Sequence, residues 1–265
     1  MISSMDTQQP KQFKILVIGE SCDDRYRFGR CDRISAEAPV PIFLETDRDS
    51  RPGMAANVSL NIKALEAEAI LITNSEVIVK ERIVDSRYGQ QILRVDIHDH
   101  CEPLTMEFVN LALEEEMYDA TVISDYDKGF LSAEMIREML PKLPGPVFVD
   151  SKKTDLTPYE KCIIKINEKE RREVQGLPSD HQLIVTMGGK GAVFDNKHFP
   201  VGETPVFDVC GAGDTFLAAL AVRYLQTQGD MYSSIVYANI AAGISVRHMG
   251  VYNVSLEEVE NEVRD

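Results

Sequence analysis

Residues 206–216 read VFDVCGAGDTF, and the fold of the whole chain turns on how they are understood. The apolar start suggests a short strand, GAG a turn, and DTF the opening of a helix. A helix opening carries unpaired N–H groups and a partial positive charge. Glycines there let a ligand approach the backbone without meeting a Cβ. Gly211, Ala212 and Gly213 are therefore candidates for a nest around an anion, such as a phosphoryl group whose oxygens carry charge during transfer. Asp214 stands beside that nest, where a carboxylate can orient an attacking hydroxyl and accept its proton. The plainer reading is that Asp214 caps a helix and the glycines make a turn. A short glycine motif does not by itself separate the two.

The composition narrows the partners. The chain has 265 residues and a formal net charge of −15, which argues against nucleic acid or an anionic membrane surface. Backbone N–H groups and a few local cations can still hold a small anion in an acidic protein. The five cysteines, Cys22, Cys31, Cys101, Cys162 and Cys210, are scattered and form no C-x-x-C pair. That speaks against a disulfide framework or zinc site and for a reducing compartment. The first residues, MISSMDTQQPKQ, lack an apolar signal core, and no apolar run is long enough to span a membrane. A cytoplasmic location is expected.

Outward from the glycine turn, short apolar runs alternate with helical patterns. KILVIG (residues 14–19), EAILIT (68–73), ATVISDY, PVFVD, CIIKIN and HQLIVTMG read as buried strands. Helical spacing is found near residues 53–67, 104–117, 132–140, 212–227, 231–248 and 255–263, the last opening with Ser255 and Glu258 as a capping box. VPIFLET (40–46) is another strand candidate. VIVKERIVD (77–85) and QQILRVDI (90–97) alternate apolar and charged residues around SRYG, the pattern of a half-exposed hairpin. GAVFDN and KHFPV suggest a second hairpin. The expected fold is α/β: a mainly parallel sheet between helices, with a small β lid. With no repeat or long linker, residues 1–265 are expected to form one unit. Ligands in such sheets bind at the carboxyl ends of the strands, where the glycine turn falls.

The segment 208–214 is similar to the signature of the ribokinase-like (PfkB) sugar kinases, close to D-T-x-G-A-G-D. Beyond it, RISAEAPVPIF (33–43), RPGMAANVSLNI (51–62), QQILRVD (90–96), SDYDKG (124–129) and VDSKKTD (149–155) resemble the heptose-7-phosphate kinase branch, the kinase half of ADP-heptose synthesis for lipopolysaccharide. The resemblance implies a three-layer ribokinase-like domain, ATP and Mg²⁺ as cofactors, and a sugar or sugar phosphate as substrate. It implies that Asp214 is the catalytic base and that Gly211, Ala212 and Gly213 form the anion hole. Asn167 and Glu170, in NEKE, would act on phosphate and on Mg²⁺ through water; as bare sequence they are a charged helix start. Thr186, Gly188, Gly191, Asn239 and Ala242 would border the nucleotide. Asp24 and Asn57 would hold sugar hydroxyls, although Asn57 also suits a helix start. Asp208 would contribute to a monovalent-cation site, which adds K⁺ in some relatives. Arg87, Arg94, Lys128 and Lys152 are candidates for a phosphate already on the sugar, each against the alternative of a solvated charge. Relatives also pair through the lid, and lid strands are placed near residues 40–47 and 77–97.

The chain departs from the pattern at four places. Met54 stands where relatives have the second of two hinge glycines, Glu20 where the first motif has aspartate in G-D, and Cys210 where relatives reading D-V-T-G have threonine. After LITN (71–74) only Ser75 and Glu76 precede the lid segment, where relatives have a further sheet element. No nucleotidyltransferase half is expected. Two other readings stay open: a kinase for another sugar or nucleoside, and a nucleotide- or sugar-binding protein with weak turnover.

Overall fold

A computed structural model describes residues 12–264, so the polar start MISSMDTQQPK lies outside the described residues. The chain runs through β1 (Lys14–Gly19), β2 (Ser21–Ile34), β3 (Pro41–Met54), α1 (Ala55–Ala64), β4 (Glu68–Ile72), β5 (Ile78–Asp85), β6 (Gln90–Ile97), α2 (Met106–Glu115), β7 (Ala120–Asp125) and α3 (Ala133–Met139). It continues with β8 (Val147–Ser151), β9 (Ile163–Asn167), α4 (Glu168–Glu173), β10 (Gln182–Thr186), β11 (Ala192–Phe194), β12 (Lys197–Phe199), α5 (Ala212–Gln226), α6 (Met231–Ser245) and α7 (Leu256–Arg264).

Eight strands form one sheet in the order β12-β11-β10-β9-β8-β7-β1-β4, parallel from β10 to β4 and closed by an antiparallel hairpin at β11 and β12. Successive side chains of a strand point to opposite faces, and β1 shows what that does here. Ile15 and Val17 join the apolar cluster under α1, α5 and α6, while Leu16 and Ile18 join the cluster under α2 and α3. Helices thus cover both faces, which is why the central strands read as unbroken apolar runs.

A second sheet, β3-β2-β5-β6, forms the lid. The hairpin of β5 and β6 lies where the alternation places it. The lid is nonetheless larger than expected, because β2 was not foreseen as a strand and β3 runs on to Met54. Cys22, Asp24 and Tyr26 alternate inward along β2, but the buried face carries a carboxylate, which hides the apolar period. The strand expected at the start of residues 206–216 is absent. Phe207 and Asp208 donate their N–H groups to the Val246 carbonyl at the end of α6 instead of to a ladder.

The lid leaves the core at three crossings that are tied together. Ala55 N–H donates to the Glu20 carbonyl at 2.9 Å, and Ser21 N–H to Asn74 Oδ1 at 2.7 Å. Asn74 Nδ2 in turn donates to the Glu76 and Ser21 carbonyls. The short link after β4, where relatives are expected to carry more chain, is thus held by the Asn74 amide and by the Thr73 hydroxyl, which lies 2.7 Å from Ser21 Oγ. Asn74→Ala leaves these backbone groups unpaired in a half-buried place, and urea denaturation should report a loss of about 1–3 kcal/mol. A loss below about 0.5 kcal/mol would show that water replaces the amide freely.

Candidate active site

The glycine turn and α5 open into a cleft of about 370 Å³ at the carboxyl ends of the parallel strands. Gly211 is the residue before α5 and has φ 76°. A Cβ on it would stand 2.8 Å from Asn57 Nδ2, so both conformation and space call for glycine. Three residues on, Asp214 is only 4% exposed. Its Oδ2 accepts from Asn57 Nδ2 and its Oδ1 from the Tyr126 hydroxyl, both at 2.9 Å. Burial pushes the Asp214 carboxyl above the usual aspartate range, and the two hydrogen bonds offset only part of this. Tyr126 is raised well above the ordinary phenol value, chiefly by burial and then by the Asp214 charge, so it stays a neutral donor.

Both partners of Asp214 are themselves held. Asn57 is fully buried at the start of α1, and its Oδ1 accepts from Asn61 and Asn253. Its amide is turned to the acid, and the alternative of a helix-start cap does not hold, since α1 follows Met54 as its cap residue with no side-chain capping bond. Tyr126 is positioned from its backbone: buried Glu20 accepts from the N–H groups of Tyr126 at 2.8 Å and Lys128 at 2.9 Å. Sequence reasoning passed over Tyr126, although it stands in the quoted SDYDKG.

Beside the anion hole runs a ladder of alternating charge. Lys165 Nζ lies 2.6 Å from Asp150 Oδ2, Lys152 Nζ lies 3.0 Å from Asp150 Oδ1, and the same Nζ lies 2.6 Å from Glu170 Oε1. Burial opposes ionisation of Asp150, but the two lysines outweigh it and hold that carboxyl below the usual range. Lys152 is held above the ordinary lysine range: burial opposes its charge, and Asp150 and Glu170 more than offset this. Lys165 reaches directly under the anion hole, since a Cβ on Gly213 would stand 2.8 Å from its Nζ. Lys165 and Asp150 were not singled out in the sequence. Asn167 and Glu170 form a complete capping box on α4, so the helix-start reading holds alongside the cleft position of Asn167. The oxygen donors Asp150 and Glu170 suit a hard cation such as Mg²⁺. No group of three or more candidate ligands is found among the described residues, so phosphate oxygens and water would complete its shell.

The remaining expected residues fall in separate places. Thr186, Gly188, Gly191, Asn239 and Ala242 line the cleft with the anion hole. A Cβ on Gly191 would meet the Phe199 carbonyl at 2.0 Å, and Asn239 Nδ2 donates to that same carbonyl. Asp24 lies on the lid, buried and paired with Arg82 at 2.5 Å. Lys128 pairs with Asp99, Arg94 with Asp96, and Arg87 with Asp85 and Asp32, so each of these cations already has a carboxylate. Lys152 belongs to the ladder rather than to the lid. Asp208 accepts from the N–H groups of Cys210 and Gly250, both at 3.0 Å, which ties the glycine turn to the 249–251 loop. Arg51 Nη1 donates to the Met249 and Val251 carbonyls of that loop.

The layered sheet, lid and cleft are those of a ribokinase-like fold. Ribokinase from Thermotoga maritima superposes with a TM-score of 0.70 at 18% identity, covering 96% of this chain and 100% of its own. Phosphofructokinase-2 from Escherichia coli, solved with substrates and products, gives 0.72 at 16% identity, covering 95% and 98%. Residues 160–258 match the model of the pfkB family carbohydrate kinases. Among curated proteins, the bifunctional protein HldE of Nitratiruptor sp. is 32% identical over 305 residues, and that of Haemophilus influenzae 33% over 307. The two alignments take in 95% and 96% of this chain and 65% and 64% of the relatives, so the chain spans less than two-thirds of their length. No helix among the described residues is long and apolar enough to cross a membrane.

Asp214 also sets a stability expectation. An aspartate with a raised folded pKa opposes folding wherever it is ionised in the unfolded chain, that is, above about pH 4. Asp214→Asn should therefore raise Tm at neutral pH, and the gain should close as the pH falls toward about 4. A Tm at pH 7 equal to or below wild type contradicts this account of the acid.

Proposed function

We propose that this chain is an ATP-dependent, Mg²⁺-requiring sugar kinase, acting on the anomeric hydroxyl of a heptose 7-phosphate. The observation that carries the proposal is the buried carboxylate of Asp214, gripped by Asn57 and Tyr126 at the mouth of the anion hole and facing the lid. The raised Asp214 brings its basicity nearer neutral pH, as proton transfer requires. The acceptor oxygen bonds to the γ-phosphorus, the bridge between the β- and γ-phosphates breaks, and Asp214 takes the hydroxyl proton. The N–H groups of Gly211, Gly213 and Asp214 and the ammonium of Lys165 would meet the charge gathered on the transferred oxygens, and the Ala212 N–H would join them by leaving the Val209 carbonyl. Bound Mg²⁺ would neutralise phosphate charge, held through water by Asp150 and Glu170. Thr186, Gly188, Gly191, Asn239 and Ala242 would border the nucleotide. A potassium ion at Asp208 is not needed by this reading, since the Arg51 guanidinium already covers the loop carbonyls beside it. The heptose assignment rests on the resemblance of the lid and RPGMAANVSLNI segments and on the HldE relatives.

Release of ADP from ATP with a panel of sugars tests the proposal: heptose 7-phosphate, sedoheptulose 7-phosphate, fructose 6-phosphate, ribose and adenosine. Turnover on the heptose phosphate, abolished by EDTA, is expected; turnover on another member reassigns the substrate. No turnover with ATP still bound would point to a binding protein. Asp214→Asn should lower kcat at least ~10²-fold with nucleotide affinity retained.

Pairing of two copies through the lid belongs to the same proposal. Leu44, Ile92 and Leu93 are exposed on the lid strands. Light scattering should report a dimer that Leu93→Lys returns to a monomer; a wild-type monomer removes the idea.

A further inference from the structure

Among the cations of the lid, Lys80 differs from the rest. It is 7% exposed, on the inward face of β5, two residues before Arg82. Arg82 is spoken for: its guanidinium pairs with Asp24 and lies 5.2 Å from the centre of the Tyr26 ring. The carboxylates nearest Lys80 along the sheet are likewise taken. Asp24 faces it from β2 but is bonded to Arg82, and Asp96 faces it from β6 but is bonded to Arg94 through both oxygens. Among the described residues, the Lys80 ammonium enters no ion pair and no hydrogen bond. Its ammonium rests 4.5 Å from the centre of the Tyr126 ring, whose hydroxyl is bonded to Asp214.

A lysine this deeply buried is almost always paired. An unpaired charge taken out of water is costly, and a contact with an aromatic face returns only part of what hydration supplied. The arrangement is sensible if an anion arrives with a ligand. Resting on the proposed sugar kinase activity, we infer that Lys80 binds the phosphomonoester that the sugar already carries before transfer, and so selects phosphorylated over free sugars. The transferred phosphoryl group is the other anion in reach. It is already served by the anion hole, Lys165 and Lys152; Lys152 reaches to 5.4 Å from the centre of the same Tyr126 ring but is bonded to Asp150 and Glu170, whereas Lys80 comes from the lid and, among the described residues, has no carboxylate bonded to it. The four cations suggested by the sequence do not fill this role. Arg87, Arg94 and Lys128 are neutralised by neighbours, and Lys152 by Asp150 and Glu170.

The test is equilibrium binding to the full chain by calorimetry, in the presence of a non-hydrolysable ATP analogue. The probes are heptose 7-phosphate and the free heptose. Wild type should prefer the phosphate by roughly 10–100-fold, the worth of one hydrogen bond to a charged group. Lys80→Met should lose that preference, Lys80→Arg should restore part of it, and affinity for the ATP analogue should not move in either variant. A preference that survives Lys80→Met, or is missing from wild type, overturns the inference. So does a loss that falls on the nucleotide. Should Lys80→Met fail to fold, Lys80→Gln takes its place against Lys80→Arg. Turnover is read separately: a wild type that binds the phosphate through Lys80 but transfers nothing sinks the kinase reading and leaves the binding assignment standing.

Discussion

The burial of one carboxylate organises this molecule. Asp214 sits out of water on the first turn of α5, where the helix N–H groups and partial charge favour it but do not balance the lost hydration. Holding it there takes Asn57 from α1 and Tyr126 from the turn after β7, and each of those needs its own support. Asn57 is fixed by Asn61 and Asn253, and the turn of Tyr126 by the Glu20 carboxylate at the end of β1. Four distant segments are thus brought to one point by the requirements of a single acid. A site with this much internal hydrogen bonding is pre-organised before any substrate enters.

Charge in the rest of the cleft follows the same economy. Glu170, Lys152, Asp150 and Lys165 alternate in sign, so the site carries little uncompensated charge although Asp150 and Lys165 are buried. Each pair is short enough to survive burial, and an entering phosphate would exchange partners with the lysines rather than meet bare charge. This explains how a chain with a net charge of −15 can accept an anion. The local balance of the cleft, not the total charge, decides what enters.

How much of this the sequence disclosed depended on whether the signal was local. Apolar runs such as KILVIG and the alternation of QQILRVDI carry their environment in their own period, and the strands lie there. The glycines of GAGD announce a close approach because no other residue permits it, and Gly211 has the positive φ that reading required. Lys80, Arg82, Lys165, Asp150 and Tyr126 gave no such sign. Each is an ordinary strand or turn residue whose meaning comes from a partner between 15 and 88 positions away. The strand β2 escaped notice for a related reason, since its inward face includes Asp24, acceptable there only because Arg82 arrives from β5. In NEKE the helix start and a cleft contact coexist, because one oxygen of Glu170 caps the helix and the other meets Lys152.

Met54 shows how the lid is joined to this arrangement. It has φ 60° and ψ −131°, a backbone state that glycine occupies freely and that costs another residue on the order of 1–3 kcal/mol. Its side chain is 2% exposed, packed in the cluster of Leu16, Ile18, Cys22 and Ile78, and burial of a methionine contributes about 1.5–3 kcal/mol. The two terms nearly cancel, so the substitution is tolerable. Its consequence lies in mechanics rather than stability. A glycine at this place would let β3 swing on a bare backbone, whereas Met54 anchors the crossing in the core that also holds β1 and β5. The other two crossings are bonded to it or to each other through Glu20, Ser21 and Asn74. Motion of the lid therefore has to carry all three together. Lys80 and Arg82 on β5 move as a unit against Tyr126 and Asp214 instead of adjusting one strand at a time.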